Sequence, residues 1–578
     1  METFRSMSIL PEPPALSWKD INCCTLKKVM PIVFSSQGRE TGVSAAILVE
    51  FREVFNMAEA VSAAVSSVIA ALDIGSSAIR MVIAEVDSQG NVRDLENVSK
   101  GVSLGKDVFT DGHIGEQTIQ AACETLRSFK QTMDMYGVKR YRAVATSAVR
   151  EAVNTDTFLD RVFLRTGLDV EVIDGPEENR LTLLAVNNIL GDELKAGNKE
   201  ALLIEVGGGS ADISVIHNGG PVYAGTYPLG ALRLRQSLAG VDGGHQHHLA
   251  VLDRHIFNVL ETMRRSVPFG KISHVVAAGG DVRFAARQLQ GNVQPLHIVP
   301  REEFLRCCQE ISRYEEDELV KRYHVSYVEA ETLGPALRVY KQIVERTSAQ
   351  TVIIPSANIR QGLLLDMVRT DRRRGLEELS QQVLSSAREL ARKFQTDEAH
   401  ANHVAMLAVR MFDQLRPVHG LDDSSRMLLE AAAVLHDIGL FVNSREHHKH
   451  SQYLIVSSEI FGLSAHEADL VGNIARYHRR AMPQRSHPSY RGLDAEERMK
   501  VCKLAAMLRL ANALDKDHAQ KVEKVDLEIK DDEVLLRVFT QKDVDLSIER
   551  LTLQAKTDLF EEIYGKRVAF QQISRSQG

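Results

Sequence analysis

Two short segments constrain this chain more than any other feature: Asp73-Ile74-Gly75-Ser76 and Glu205-Val206-Gly207-Gly208-Gly209-Ser210. Each stands between two apolar, strand-like runs, Val68 to Leu72 with Met81 to Val86, and Ala201 to Val206 with Asp212 to His217. Each therefore reads as a strand, a tight turn and a returning strand, with a carboxylate at the mouth of the turn. A glycine turn lets backbone N–H groups approach a phosphate with no side chain between, and a serine adds a hydroxyl donor. Asp73 and Glu205 are hard oxygen ligands suited to Mg2+, with Mn2+ as the alternative. The two carboxylates lie 132 positions apart (205 − 73). That is the length of one domain, so the spacing predicts two related lobes with a cleft between them.

The text between and around the turns alternates strands and helices. Glu116 to Tyr136 and Glu177 to Leu190 read as helices, and Tyr141 to Ala145 and Val170 to Ile173 as strands. The expectation is an α/β pair of lobes over 67–190 and 191–372. Past about Gly375 the strands vanish and a helical region rich in histidine is expected over 380–520. A small α+β tail follows over 522–572, with strands in Val525 to Phe539 and a helix over Ser547 to Tyr564. Residues 1–60 carry no sustained period; they read as a disordered extension, or as a mis-annotated start with the true one at Met57.

Composition narrows the classes. With 578 residues the chain exceeds what one core usually organises. Hydrophobic residues at 44% and charged ones at 25% are those of an ordinary globular protein. A net charge of −7 provides no overall basic field for nucleic acid or an anionic membrane, so an anionic substrate must be captured locally. The longest apolar stretch, Val61 to Leu72, falls short of the roughly 20 residues that span a bilayer. The six cysteines, two pairs of them adjacent, form no zinc-type array. A reducing, cytoplasmic setting is expected.

Further segments join the two turns: Ala145-Thr146-Ser147-Ala148-Val149-Arg150, Gly175-Pro176-Glu177-Glu178, Pro228-Leu229-Gly230-Ala231-Leu232-Arg233 and, more weakly, Ile359-Arg360-Gln361-Gly362-Leu363. With these in order the chain resembles the exopolyphosphatase / guanosine pentaphosphate phosphatase family, a branch of the actin, sugar kinase and heat-shock chaperone superfold, which is ribonuclease H-like. The resemblance covers about residues 68 to 370. It implies a two-lobed actin-like hydrolase acting on inorganic polyphosphate or guanosine pentaphosphate, and a homodimer. It makes Glu178 the base that activates water, with Glu177 second, and Arg150 a phosphate-facing guanidinium. It extends the cradle to Gly75, Ser76, Ser77, Gly207, Gly208, Gly209, Ser210, Gly279 and Gly280. Taken alone, Pro176-Glu177-Glu178 also reads as an ordinary helix start, with proline and acids where the dipole favours them.

The chain departs from the family pattern at this site. Ser77 and Ala78 stand where the family has Asn and Ser, Glu205 where it has Asp, and Asp281 where it has a phosphate-facing Thr. A binding protein with a degraded site, or an actin-like ATPase or kinase, is therefore the alternative to a hydrolase.

In the helical region, Glu430 to Leu440 reads as a helix ending in His436-Asp437, with Gly439 as its stop. Adjacent His and Asp at a helix end can bind a divalent ion together. With His403 upstream, and His450, His478 and Asp515 downstream, the order resembles the HD phosphohydrolase superfamily. That resemblance implies a second divalent metal on His403, His436, Asp437, His450, His478 and Asp515. The same histidines read equally as helix-packing hydrogen bonders. Lys449, Arg476, Arg479 and Arg480 read equally as a groove for a long polyanion.

Overall fold

The computed structural model describes residues 67–191, 200–217, 220–238, 241–291, 294–370, 373–479 and 481–574. The expectations for residues 1–60, for Met57 as a start and for Arg480 fall outside the described residues.

The apolar runs flanking the first turn become β1 (Ser67–Ile74) and β2 (Ala78–Val86), an antiparallel hairpin in which Asp73 stands opposite Arg80. A third strand, β3 (Val92–Gly101), extends the meander. Then β4 (Arg140–Ala145) and β5 (Glu171–Val172) add in parallel, for the order β3-β2-β1-β4-β5. The second lobe repeats the plan. Its strands β6 (Glu200–Val206), β7 (Ala211–His217) and β8 (Gly220–Tyr227) form the meander. In parallel beyond β6 lie β9 (His274–Ala278) and β11 (Thr351–Pro355), with β10 (Leu296–Pro300) added antiparallel at the edge. The order β10-β11-β9-β6-β7-β8 matches the first sheet strand for strand, apart from that edge.

The Gly175–Leu190 helix joins the two halves. Asp174 caps it by accepting from the Glu177 N–H at 3.0 Å, and Pro176 fills its first turn. Leu181 packs with Ile69, Ala71, Val82 and Val144 of the first sheet. Leu183, Val186 and Leu190 pack with Leu203, Ile216 and Val276 of the second. The first turn of this helix, with Glu178, is thereby fixed at the seam between the sheets. The Ile359–Thr370 helix falls by sequence order in the second lobe, yet Ile359, Leu363, Leu364 and Met367 cover the first sheet. Gly362 permits this: a Cβ there would stand 2.1 Å from the Leu181 carbonyl oxygen.

Beyond it, helices Arg373–Lys393, Glu398–His419, Asp423–Leu435, His447–Val456, Ala465–Arg476 and Ala495–Ala513 share one apolar core. The tail departs from expectation. Val525 to Phe539 lies in the hairpin of β12 (Val522–Ile529) and β13 (Glu533–Thr540), but the expected single helix is two, Ser547–Gln554 and Asp558–Tyr564. A further strand, β14 (Arg567–Ser574), pairs in parallel with β13. It escapes a sequence reading because it is a largely exposed edge strand whose apolar alternation is short. Among the described residues no helix is long and apolar enough to cross a membrane.

Candidate active site

The two glycine turns face each other across a cleft of about 650 Å³. A Cβ on Gly208 would meet Ser77 Oγ at 2.8 Å and Ser76 Cβ at 3.0 Å, so the turns approach as closely as glycine allows. Ser76 Oγ lies 3.1 Å from Ser147 Oγ, which brings the start of the Ser147–Glu151 helix into the same floor. Gly230 closes the turn from behind: a Cβ there would stand 2.1 Å from the Gly209 carbonyl carbon. Gly279, with φ +122°, lets the chain leave β9 and start the Gly280–Gln290 helix at the cleft wall. Gly75, Ser76, Ser77, Gly207, Gly208, Ser210, Gly279 and Gly280 all line the cleft. Gly209 lies directly behind, against Ser147.

Four acids point into this floor: Asp73, Glu205, Glu178 and Asp212. Burial raises Glu205 and Asp212 above the usual carboxylate range, although Thr182 donates to Glu205 at 2.5 Å and Thr226 to Asp212 at 2.7 Å. Burial also pushes Glu178 up to about 7, against the pull of Arg150, whose Nη1 lies 2.6 Å from Glu178 Oε1. Facing the acids are Arg80 and Arg360, 3.6 and 3.8 Å from Asp73, and Arg283, which donates to the Ala357 carbonyl at 2.7 Å. The Nε of Arg360 is buried without a hydrogen-bond partner.

Arg80, Asp212 and Arg283 were not singled out by sequence, and Arg360 entered only within the weak Ile359-Arg360-Gln361-Gly362-Leu363 segment. A signal existed for two of them: Arg80 and Asp212 are charged residues within apolar strands, and each sits opposite a site carboxylate, Asp73↔Arg80 and Glu205↔Asp212. Of the departures from the family pattern, Asp281 lines the cleft and accepts from Thr332 at 3.1 Å. Burial raises it to about 6.

Glu177 is not brought into the cleft. It accepts from Arg142 at 3.0 Å and from Arg180 at 2.7 Å, and both arginines also hold Asp366 at 2.8 Å. One step along a helix turns a side chain by about 100°, so Glu177 and Glu178 cannot share a face. Arg150 lines the same adjoining cavity as Glu177 and meets the cleft through Glu178.

In the helical region His436, Asp437 and His478 converge, and three other expected ligands do not join them. His436 Nε2 stands 3.6 Å from Asp437 Oδ2, and His478 Nε2 3.5 Å from Asp437 Oδ1. In place of His450, one turn further along its helix, His447 takes the position 3.3 Å from Asp437 Oδ1. In place of His403, His400 aims Nε2 at Asp437 Oδ2 from 3.9 Å. His403 lies behind it, where its Nε2–H donates to the Val522 carbonyl at 2.6 Å. Asp515 accepts from His400 Nδ1 at 2.8 Å and from the Gln520 N–H at 2.7 Å, so it orients a ring and does not face Asp437.

Paired sheets of one order, with glycine turns, acids and guanidinium groups meeting at their seam, define the two-lobed actin-like class of phosphate-handling proteins. Within it the chain belongs to the Ppx/GppA phosphatase family, whose model matches residues 82–371, while that of Ppx/GppA phosphatase domain III matches residues 384–561. It is similar to the guanosine-5'-triphosphate,3'-diphosphate pyrophosphatase of Photobacterium profundum, 24% identical over 462 residues, which are 79% of this chain and 89% of the relative. Two solved structures are similar: an exopolyphosphatase from Cytophaga hutchinsonii, 20% identical, covering 53% of this chain and 98% of that one at a TM-score of 0.49. The other is the Aquifex aeolicus member of the Ppx/GppA family, 23% identical, covering 53% and 99% at 0.45.

Proposed function

We propose that the cleft hydrolyses the terminal phosphoanhydride bond of inorganic polyphosphate, of guanosine pentaphosphate, or of both, with Glu178 as the base. The observation that carries this reading is Glu178 itself: a carboxylate raised to about 7, at the rim of a glycine cradle built for phosphate oxygens. The terminal phosphate sits on the N–H groups of the Gly75 and Gly207 turns, with Arg80 and Arg360 balancing its charge. Water adds to the terminal phosphorus and gives its proton to Glu178. The bridging P–O bond breaks, and the shortened chain leaves with the negative charge.

Asp73, Glu205 and Asp212 line one cleft and supply the hard carboxylate oxygens that a divalent cation takes. Mg2+ held there would neutralise phosphate oxygens and so favour attack on phosphorus. We read the helical region as an HD-type domain that guides the polymer, and the protein as a homodimer. Light scattering of the purified protein checks the second point.

The test is Mg2+-dependent release of orthophosphate from long-chain polyphosphate and, separately, from guanosine pentaphosphate. Release that Glu178→Gln abolishes is expected. Binding of both polyanions without release would overturn the hydrolase reading in favour of a regulator, with Asp281 at the phosphate face as the reason.

A further inference from the structure

The Ala231–Gln236 helix starts directly behind the second glycine turn, and its first amides hold that turn. Ala231 N–H donates to the Gly207 carbonyl at 2.9 Å, and Leu232 and Arg233 N–H donate to the Gly208 carbonyl at 2.9 and 3.0 Å. The Gly209 carbonyl is taken by a side chain, the Nε of Arg233, at 2.7 Å. The same guanidinium makes two further contacts. Its Nη2 donates to both carboxylate oxygens of Glu151 at 2.6 Å, and its central carbon lies 4.1 Å from the centre of the Phe109 ring. Phe109 stands on the Leu104–Asp111 helix and Glu151 ends the Ser147–Glu151 helix, both in the first lobe. One side chain of the second lobe therefore joins a carbonyl of its own glycine turn to two elements of the other lobe.

Each of those elements carries part of the cleft. At the start of the Leu104–Asp111 helix, Gly105 N–H donates to the Ser76 carbonyl at 2.8 Å, so this helix backs the first glycine turn. The Ser147–Glu151 helix holds Ser147 in the floor and Arg150 against Glu178. The fit leaves no room for adjustment: a Cβ on Gly209 would stand 2.2 Å from Ser147 Oγ and 2.6 Å from Phe109 Cζ. Neighbouring links between the lobes are longer, Lys106 to Glu331 at 3.4 Å and Thr110 to Gln236 at 3.3 Å. Part-exposed contacts of that kind contribute little, so they do not set the spacing of the turns. A planar fork can bond a carbonyl through Nε and a carboxylate through Nη while its face rests on a ring; an ammonium is a point charge and cannot.

We propose that Arg233 is a positioning residue of the cleft. By tying the Gly209 carbonyl to Glu151 and Phe109, it sets the separation of the two glycine turns and the placement of the helix that bears Arg150. The phosphate donors and Glu178 are thereby brought to one phosphorus. Arg233 acts through these partners from behind the cleft wall. The inference rests on reading the cleft as the phosphate site.

Tripolyphosphate affinity of the full-length protein tests this, measured by titration calorimetry in a Glu178→Gln background that does not consume the ligand. Arg233→Ala and Glu151→Ala should each weaken binding by roughly tenfold, within the range over which contacting residues couple. The double variant should bind no more weakly than Arg233→Ala alone, because both changes break one link. Unchanged affinity, or losses that multiply in the double variant, would overturn the proposal. Glu151→Ala, at a part-exposed carboxylate, still decides the question if Arg233→Ala fails to fold. Arg233→Lys should recover Tm and not affinity; recovery of both would overturn the three-way link. Arg338→Ala, which breaks a 2.6 Å ion pair with Asp253 inside the second lobe, supplies the stability reference. It should lower Tm and leave affinity unchanged; an equal loss of affinity there would reduce the role of Arg233 to stability. Turnover is not read, so a protein that binds tripolyphosphate and never cleaves it would sink the hydrolase reading and leave this one standing.

Discussion

Arg150 Nη1 lies 2.6 Å from Glu178 Oε1, and this ion pair is the point where the cleft meets the adjoining cavity. Burial raises Glu178 to about 7 and Arg150 opposes that rise. A general base works only when ionised, so kcat/KM should climb as pH rises through about 7 and level off above it. Arg150→Ala removes the group that favours the ionised form, so the rising limb should move to higher pH. A pH–rate profile of both proteins checks this; a limb that stays or moves down would detach Glu178 from the rate.

Neighbouring glutamates should separate cleanly. Glu178→Gln should lower turnover by roughly 10²–10⁴-fold with little change in Tm. Glu177→Gln should do the reverse. It removes one of the carboxylates that hold Arg142 and Arg180 in a largely buried cluster and leaves Asp366 to both, so the loss should be well below the about 3–5 kcal/mol of a fully buried pair. Thermal unfolding alongside turnover reads both effects.

Gly230→Ala tests the cradle as a packing problem. Its Cβ would stand 2.1 Å from the Gly209 carbonyl carbon and 2.3 Å from the Ser210 nitrogen. Backbone must shift, at about 1–3 kcal/mol or more, and the shift falls on the phosphate-facing turn. Denaturant unfolding should show the loss, with turnover falling further than stability alone explains.

Glu205→Gln should raise the Mg2+ concentration needed for half-maximal turnover by roughly 10–100-fold, the usual scale for altering groups at a metal. The amide remains able to accept from Thr182, so the local hydrogen bond is retained and the charge alone is tested. A Mg2+ titration of turnover checks it.

The residue pattern by itself determined the lobes and their floor. Apolar runs interrupted by Asp73-x-Gly75 and Glu205-x-Gly207 leave few alternatives to two hairpins, since glycine and period-two burial are local properties. The Glu430 to Leu440 segment likewise announced His436 and Asp437 at a helix end; the helix stops at Leu435.

What the chain text left open was decided by tertiary packing. Whether Glu177 or Glu178 enters the cleft depends on the rotation of the Gly175–Leu190 helix, which Leu181 and Leu183 fix against opposite sheets. Whether His447 or His450 meets Asp437 depends on how the His447–Val456 helix docks. Ser451 Oγ sets that docking by donating to the His436 carbonyl at 2.7 Å and accepting from the Gly439 N–H at 2.9 Å. The close approach is possible only because a Cβ on Gly439 is absent, 2.1 Å from the His447 carbonyl oxygen. Arg360 reaches the cleft from a segment far along the chain. Sequence spacing fixes which faces exist, and only the packing of those faces fixes which side chains meet.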